Sequence, residues 1–225
     1  MITTIMFWAS VLLIVYTYIG FPLFVFLRGL IQGRPYKREE LLATPPSVSI
    51  IISAYNEARG IAAKLDNILS LDYPREKLEV VIASDGSTDG TDAIVDRYKE
   101  KGVKLLSLPH HGKSVALNMA VAASSGELLV FSDANSIYKS NAIQELVKPF
   151  SDPKIGGVAG NQVYKTDVSG DFSSAGEQAY WNFDRMLKLS QSRSGNTLAA
   201  TGAIYSIRRI LFRQIPDGVS DDFVT

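Results

Sequence analysis

An α/β fold is predicted: a mostly parallel sheet with helices on both faces, preceded by one apolar helix long enough to cross a membrane. Three observations carry this. Short β-branched runs alternate with helical apolar spacing from residue 48 to residue 131. Short acidic segments follow apolar runs: D-G-S-T-D-G-T opens at Asp85 and D-A-N at Asp133, and S-D-D-F holds Asp222. Met1 to Leu27 contains no charged side chain.

Taken in order, residues 1–27 match the roughly 20 apolar residues that span a bilayer as a helix. Trp8, Tyr16 and Tyr18 are amphipathic, and Pro22 is placed to kink the C-terminal part. Arg28, Arg34, Lys37 and Arg38 follow at once. By the positive-inside bias they put the rest of the chain in the cytoplasm, on a single-pass anchor in the cell (inner) membrane. A secretory leader needs a basic start and a shorter apolar core, so an uncleaved anchor is expected. Residues 28–46 read as a linker ending in Pro45-Pro46, and residues 47–225 as one domain.

Within that domain Val48–Ser53 reads as a buried strand. Ile61, Leu65, Ile68 and Leu69 recur at helical spacing until Asp72-Tyr73-Pro74 stops them. Leu78–Ala83 is a second strand, and Ile94, Val95 and Tyr98 mark a second helix capped by Thr91 or Asp92. Val103–Leu108 is a third strand. Lys113–Ser124 is Ala-rich and helical, with Gly126 as its C-cap, and Leu128–Phe131 is a fourth strand. Ala142–Phe150 reads as helix. Ile155–Tyr164 reads as a strand loosened by Gly156, Gly157 and Gly160. Asp171–Leu189 reads as a longer helix carrying Phe172, Tyr180, Trp181 and Phe183, whose aromatics suit packing better than sugar stacking. Gly202–Ile207 is a last strand, running into Arg208-Arg209.

Lysine plus arginine and aspartate plus glutamate balance at 23 each, so nothing global points to nucleic acid. With no cysteine, disulfides and thiolate metal sites are excluded.

The acidic segments carry the chemistry. Carboxylates at the ends of buried strands are costly to desolvate unless a metal, a cation or a polar ligand meets them. Strand ends are also where open α/β sheets bind ligands. In D-G-S-T-D-G-T, Gly86 and Gly90 permit a tight turn, Ser87, Thr88 and Asp89 can satisfy turn amides, and Asp85 is free to accept hydrogen bonds from a base or sugar. The bland alternative is a Gly/Asp-rich strand-to-helix loop. In D-A-N, Asp133 and Asn135 would lie on one side of an extended segment, suiting a hard divalent cation shared with a diphosphate. An ordinary turn is the alternative. Glu57, after the first strand, is placed to bind a ribose hydroxyl or to cap the next helix. Asp222 is the candidate general base, with Asp221 beside it to raise its pKa. The alternative is an acidic helix start.

His111-Gly112-Lys113-Ser114 has the strand-loop-helix setting of a phosphate loop, but Ser107 stands where that loop requires its first glycine. Lys113 at a helix start can still meet a phosphate. His110 and His111 read as loop residues rather than metal ligands. No G-x-G-x-x-G follows the first strand, which argues against a dinucleotide-binding domain.

Together V-S-I-I-I-S-A-Y-N-E, V-V-I-A-S-D-G-S-T-D-G-T, H-G-K-S-V-A-L-N, V-F-S-D-A-N, T-G-A-I-Y-S-I-R-R and S-D-D-F resemble, in order, the family-2 inverting glycosyltransferases of the GT-A fold. The nearest likeness is to the membrane-anchored polysaccharide synthases. The resemblance runs from about Val48 to Thr225. It implies that Glu57 and Asp85 hold the nucleoside of a nucleotide-sugar donor, usually a UDP-sugar, with Lys113 near its phosphates. It implies that Asp133, with Asn135, binds Mg²⁺ or Mn²⁺, that Gly202 shapes the acceptor site, and that Asp222 deprotonates the acceptor. The expected activity is metal-dependent inverting transfer of a sugar to a saccharide or lipid acceptor at the membrane, in polysaccharide or glycolipid synthesis, with other synthase subunits as candidate partners. The alternative is a non-catalytic nucleotide-sugar-binding or scaffold subunit.

Two departures from the family pattern shape the expectation. D-A-N replaces the usual D-x-D, so either metal affinity falls or Asp133 carries the ligation alone. Processive members also have Q/R-x-x-R-W and further membrane helices after the catalytic aspartate, whereas this sequence ends three residues past Asp222. The expectation is a domain truncated at its C-terminus that binds donor weakly and turns over poorly alone.

Overall fold

The structure, a computed structural model, describes residues 1–31, 33, 44–161, 172–195 and 203–219. The chain forms two compact units.

The first unit holds three helices: α1 (Ile2–Val15), α2 (Phe21–Ile31) and α7 (Phe172–Ser194). A π-helical turn over Tyr16–Gly20 joins α1 to α2, so the helix is continuous from Ile2 to Ile31. Pro22, placed in the sequence to kink this helix, lies just past the π-helical turn. Proline has no N–H to give the carbonyl four residues back, and the ladder slips instead, with the Phe21 N–H meeting the Tyr16 carbonyl. By length and composition this helix can cross a membrane. Gly29 lets α2 approach α7, because a Cβ there would lie 2.9 Å from the Ser190 carbonyl oxygen. On α7, Trp181 is half-buried and Phe183 exposed. The side chains of Phe172 and Tyr180 lie outside the described residues.

The second unit is a six-stranded sheet with helices on both faces. Its strands are β1 (Val48–Ala54), β2 (Leu78–Asp85), β3 (Val103–Leu108), β4 (Leu128–Ser132), β5 (Gly157–Ala159) and β6 (Ile204–Arg208), in the order β3-β2-β1-β4-β6-β5. The first four are mutually parallel, and β6 runs antiparallel to both β4 and β5. Short β5 lies within the longer run expected from residue 155. Part of that run, like the start of the strand expected from Gly202, lies outside the described residues.

Strand side chains alternate between two faces, and two cores follow. Val48, Ile50 and Ile52 pack with Ile61, Leu65 and Ile68 of α3 (Ile61–Leu69), Val95 of α4 (Thr91–Asp96) and Ile143 of α6 (Ala142–Val147). Ile51, Val81, Leu129 and Phe131 pack with Ala116, Leu117 and Ala120 of α5 (Lys113–Ala122). Alanine on α5 lets that helix lie close to the strands. Phe131 stacks on Tyr205 of β6 with ring centroids 4.8 Å apart, which fixes the antiparallel strand to the parallel ones.

Two expected caps are corrected. Gly90, not Thr91 or Asp92, precedes α4, because the Thr91 hydroxyl is used elsewhere. Gly126 does not end α5, which stops at Ala122; its N–H instead meets Ser49 Oγ of β1 at 2.8 Å.

The sheet order sets the site. From β1 the chain winds outward to β2 and β3, then returns to place β4 on the other side of β1. Such a reversal opens a crevice beyond the carboxyl ends of the strands, where Tyr55–Glu57, Asp85 and Asp133 all emerge.

Candidate functional site at the strand ends

Two loops form the first wall, and their own side chains hold them together. Asn56 adopts φ 56°, a left-handed conformation that asparagine tolerates better than most residues. Its Oδ1 accepts the Thr88 N–H at 2.9 Å, and its N–H donates to Ser87 Oγ at 3.1 Å. The Ala58 N–H donates to Asp89 Oδ2 at 2.9 Å. The Glu57 N–H donates to Thr91 Oγ1 at 2.9 Å, and that hydroxyl donates onward to Asp89 Oδ1 at 2.6 Å. These bonds, the Thr91 hydroxyl foremost, hold the exposed Asp89 carboxyl below its usual pKa. The D-G-S-T-D-G-T loop is thus laced to the segment after β1. Glu57 contributes backbone to this lacing, and its carbonyl accepts the N–H of Ile61 at 2.9 Å. The residue that precedes α3 is Gly60, which has no side chain to cap the helix, and its N–H also meets the Glu57 carbonyl at 3.0 Å.

Asp85 departs from its expected state. It is buried, and its carboxylate is not free. Oδ1 accepts the His111 N–H at 2.8 Å, Oδ2 accepts the Gly112 N–H at 3.0 Å, and His110 Nδ1 lies 3.0 Å from Oδ2. The reason is topological: β2 ends beneath the loop entering α5, and that loop offers unpaired amides to the nearest carboxylate. Gly86 makes this possible. Its φ is +72°, and a Cβ would lie 2.8 Å from His110 Cβ and 2.9 Å from His110 N. The His110 ring in turn sits against Tyr55, centroids 4.6 Å apart.

Lys113 joins the two halves of the site. It follows Gly112, which is bound to Asp85, and its Nζ reaches Asp133 Oδ1 at 3.3 Å. Adjacent residues at the start of α5 therefore touch the acidic groups at the ends of β2 and β4. Asp133 is half-buried and Asn135 exposed. The D-A-N segment is a turn rather than the expected extended stretch, with the Ser136 N–H approaching the Asp133 carbonyl at 3.5 Å. Asp133 and Asn135 are therefore not set on one side by strand alternation.

Among the described residues no three acidic or histidine side chains converge on a metal position. Asp133 offers one partly accessible hard oxygen ligand, shared with the Lys113 ammonium; a divalent ion held there would need substrate phosphates and water to complete its shell. Asn135 can add only a neutral oxygen. Asp222, Asp221 and Gly202 lie outside the described residues.

Sequence reading passed over Lys64. It is buried in α3, and burial pushes its ammonium down to about 7 against the upward pull of the Asp133 charge. Nζ donates to Ser132 Oγ at 2.8 Å, Ser136 O at 2.6 Å and Ser136 Oγ at 2.9 Å. The signal was present. Residues 61, 64, 65 and 68 make one helix face, and lysine occupies an apolar register on it.

A cavity of 690 Å³ opens at the opposite end of the strands, between Pro45, Pro46, Glu127 and Arg208. Arg208 there is already bonded to the carbonyls of Phe150, Asp152 and Ile155 at 2.9–3.1 Å. The cavity is wide but has no converging strand-end carboxylates.

A family profile described as glycosyl transferase family 2 matches residues 49–215. Among curated relatives, a poly-β-1,6-N-acetyl-D-glucosamine synthase of Staphylococcus epidermidis is 28% identical over 186 residues, covering 78% of this chain and 44% of that protein. A β-monoglucosyldiacylglycerol synthase of Nostoc sp. is 30% identical over 189 residues, covering 80% of this chain and 40% of that protein. The chain thus spans less than half the length of these relatives. Among solved structures, the mannosyltransferase PcManGT from Pyrobaculum calidifontis, in complex with GDP-Man and Mn²⁺, superposes with a TM-score of 0.77 at 29% identity. That match covers 96% of this chain and 61% of the other.

Proposed function

Because this chain belongs to glycosyl transferase family 2, we propose that it moves a sugar from a nucleotide-sugar donor to a saccharide or lipid acceptor at a membrane, with inversion at the anomeric carbon. The observation that carries this reading is the start of α5, where Gly112 meets Asp85 and Lys113 meets Asp133. A nucleoside diphosphate needs such a site: one end shaped for a base and sugar, the other charged for phosphates. The curated relatives are synthases of a polysaccharide and of a glycolipid, and the similar solved structure holds GDP-Man and Mn²⁺. We take a UDP-sugar as the first donor to test and a GDP-sugar as the second.

The residues divide the work. Tyr55, Glu57 and the Asp85-ordered loop line the nucleoside end. Lys113 neutralises phosphate charge, helped by the N-terminus of α5. Asp133, with Asn135, would hold a divalent cation, which supplies charge neutralisation for the departing diphosphate. Asp222 is assigned as the base that takes the acceptor hydroxyl proton. The acceptor oxygen then bonds to the anomeric carbon as the carbon–phosphate oxygen bond breaks, and the nucleoside diphosphate leaves. The apolar helix Ile2–Ile31 supports a single-pass anchor, with Arg28 and the basic residues after it on the cytoplasmic side. A catalytic domain over residues 47–225 completes the proposal.

Calorimetric titration of the full chain in detergent with UDP and with GDP, with and without Mn²⁺, tests the reading. Metal-dependent binding that disappears in Asp133→Ala is expected. Binding retained in that variant would overturn the metal role. Release of UDP or GDP from nucleotide-sugars, abolished by Asp222→Asn, is the expected sign of turnover. Binding without turnover would favour a donor-binding subunit.

A further inference from the structure

Lys64 is a buried amine on α3. Its three hydrogen bonds all end on the two serines that flank the D-A-N turn, Ser132 and Ser136. Ser132 Oγ and Ser136 Oγ both donate to the Asp133 carbonyl, at 3.1 and 3.0 Å. Ser136 Oγ also lies 3.2 Å from the Ala203 carbonyl, just ahead of β6. The ammonium packs over the Tyr138 ring, 3.6 Å from its centroid. Three residues along α3, Asn67 brackets the same segment, donating to the Tyr138 carbonyl at 2.9 Å and accepting its N–H at 2.7 Å.

Burying an ammonium is costly unless fixed partners take up its protons. An apolar side chain would fill this helix face more cheaply, so the charge has a task beyond packing. We propose that Lys64 is a positioning residue for divalent-cation binding: by gripping Ser132 and Ser136 from below, it fixes the peptide of Asp133 and so aims the carboxylate at the cation. This rests on the reading of Asp133 as the metal-binding residue. Lys64 touches neither metal nor substrate; it acts through the two serines, and Asn67 fixes the far end of the turn.

The test is Mn²⁺ affinity, read by electron paramagnetic resonance of free Mn²⁺ on the full chain in detergent with UDP or GDP present. Nucleotide binding in EDTA and thermal unfolding run in parallel. Lys64→Met is expected to weaken Mn²⁺ binding by about tenfold or more, as loss of support behind a metal ligand does, with metal-free nucleotide binding unchanged. Ser136→Ala is expected to show a smaller loss of the same kind and to add little in the double variant. If Lys64→Met does not fold, Ser132→Ala and Ser136→Ala decide the matter. Wild-type Mn²⁺ affinity in the variants overturns the role, as does an equal fall in metal and metal-free binding, the mark of a merely structural residue. No Mn²⁺-dependent nucleotide binding by the unaltered chain overturns the functional reading first, and the role of Lys64 with it.

Discussion

Replacing Thr91 by valine tests whether the first wall of the site is held as described. Thr91 is fully buried, and valine copies its shape. What disappears is one hydroxyl with two partners, the Glu57 N–H at 2.9 Å and Asp89 Oδ1 at 2.6 Å. The Glu57 N–H, left part-buried without its acceptor, costs about 1–3 kcal/mol. Asp89 is exposed and recovers its bond from water. The added methyl returns up to about 0.8 kcal/mol. The net loss is about 1.5 kcal/mol, which for a chain of this size lowers Tm by about 3–6 °C. Thr91→Ser is the control. It keeps the hydroxyl and loses one buried methyl, about 1 kcal/mol, so its Tm falls nearly as far. The two variants separate in nucleotide affinity. Valine removes one of the four bonds that lace the segment after β1 to the D-G-S-T-D-G-T loop, and as the segment loosens nucleotide affinity should drop severalfold; serine should keep it. The assays are thermal unfolding by far-ultraviolet circular dichroism and calorimetric titration with UDP or GDP plus Mn²⁺, both on the full chain in detergent. Equal nucleotide affinity in the two variants, or a valine variant as stable as the wild type, would refute the reasoning.

Two further outcomes are expected. Glu79 on β2 accepts Ser49 Oγ at 2.6 Å and the Ser125 N–H at 2.7 Å and pairs with Lys104; desolvation opposes its ionisation, but these bonds outweigh it and hold the carboxyl down to about 2. A carboxyl depressed on folding binds more protons when unfolded, so its stabilisation is full above about 4.5 and is lost as pH falls toward 2. Acid unfolding followed at several pH values should therefore steepen across that window, and Glu79→Gln should flatten the slope; an unchanged slope would sink the assignment. Gly86→Ala would press a Cβ against His110 and force a left-handed alanine, costing about 2 kcal/mol or more and loosening the loop on Asp85. Amide hydrogen exchange at His111 and Gly112 should then rise, and unchanged protection there would contradict it.

The first half of the sheet was legible because burial on both faces demands continuous apolar runs, and Val103–Leu108 was read to the residue. The strand ends, and hence Asp85 and Asp133, followed directly. The second half was less legible because β5 is three residues long and rich in glycine, with its register fixed by pairing to β6. Lys64 was overlooked for a different reason. Its apolar register on α3 was visible, but a lysine in a sequence reads as solvent-facing, and packing alone shows which serines of another element meet its ammonium.

The sequence by itself determined the alternation of strands and helices, the apolar helix at the start, and the acidic residues at strand ends, because each is set by local periodicity and local charge. The tertiary structure decided what those acids do. Asp85 is spent on the amides of a loop some 26 residues away, Lys113 bridges two strand ends, and a buried ammonium grips the turn that carries Asp133. Electrostatic partners are chosen by distance in space, and the order β3-β2-β1-β4 sets those distances.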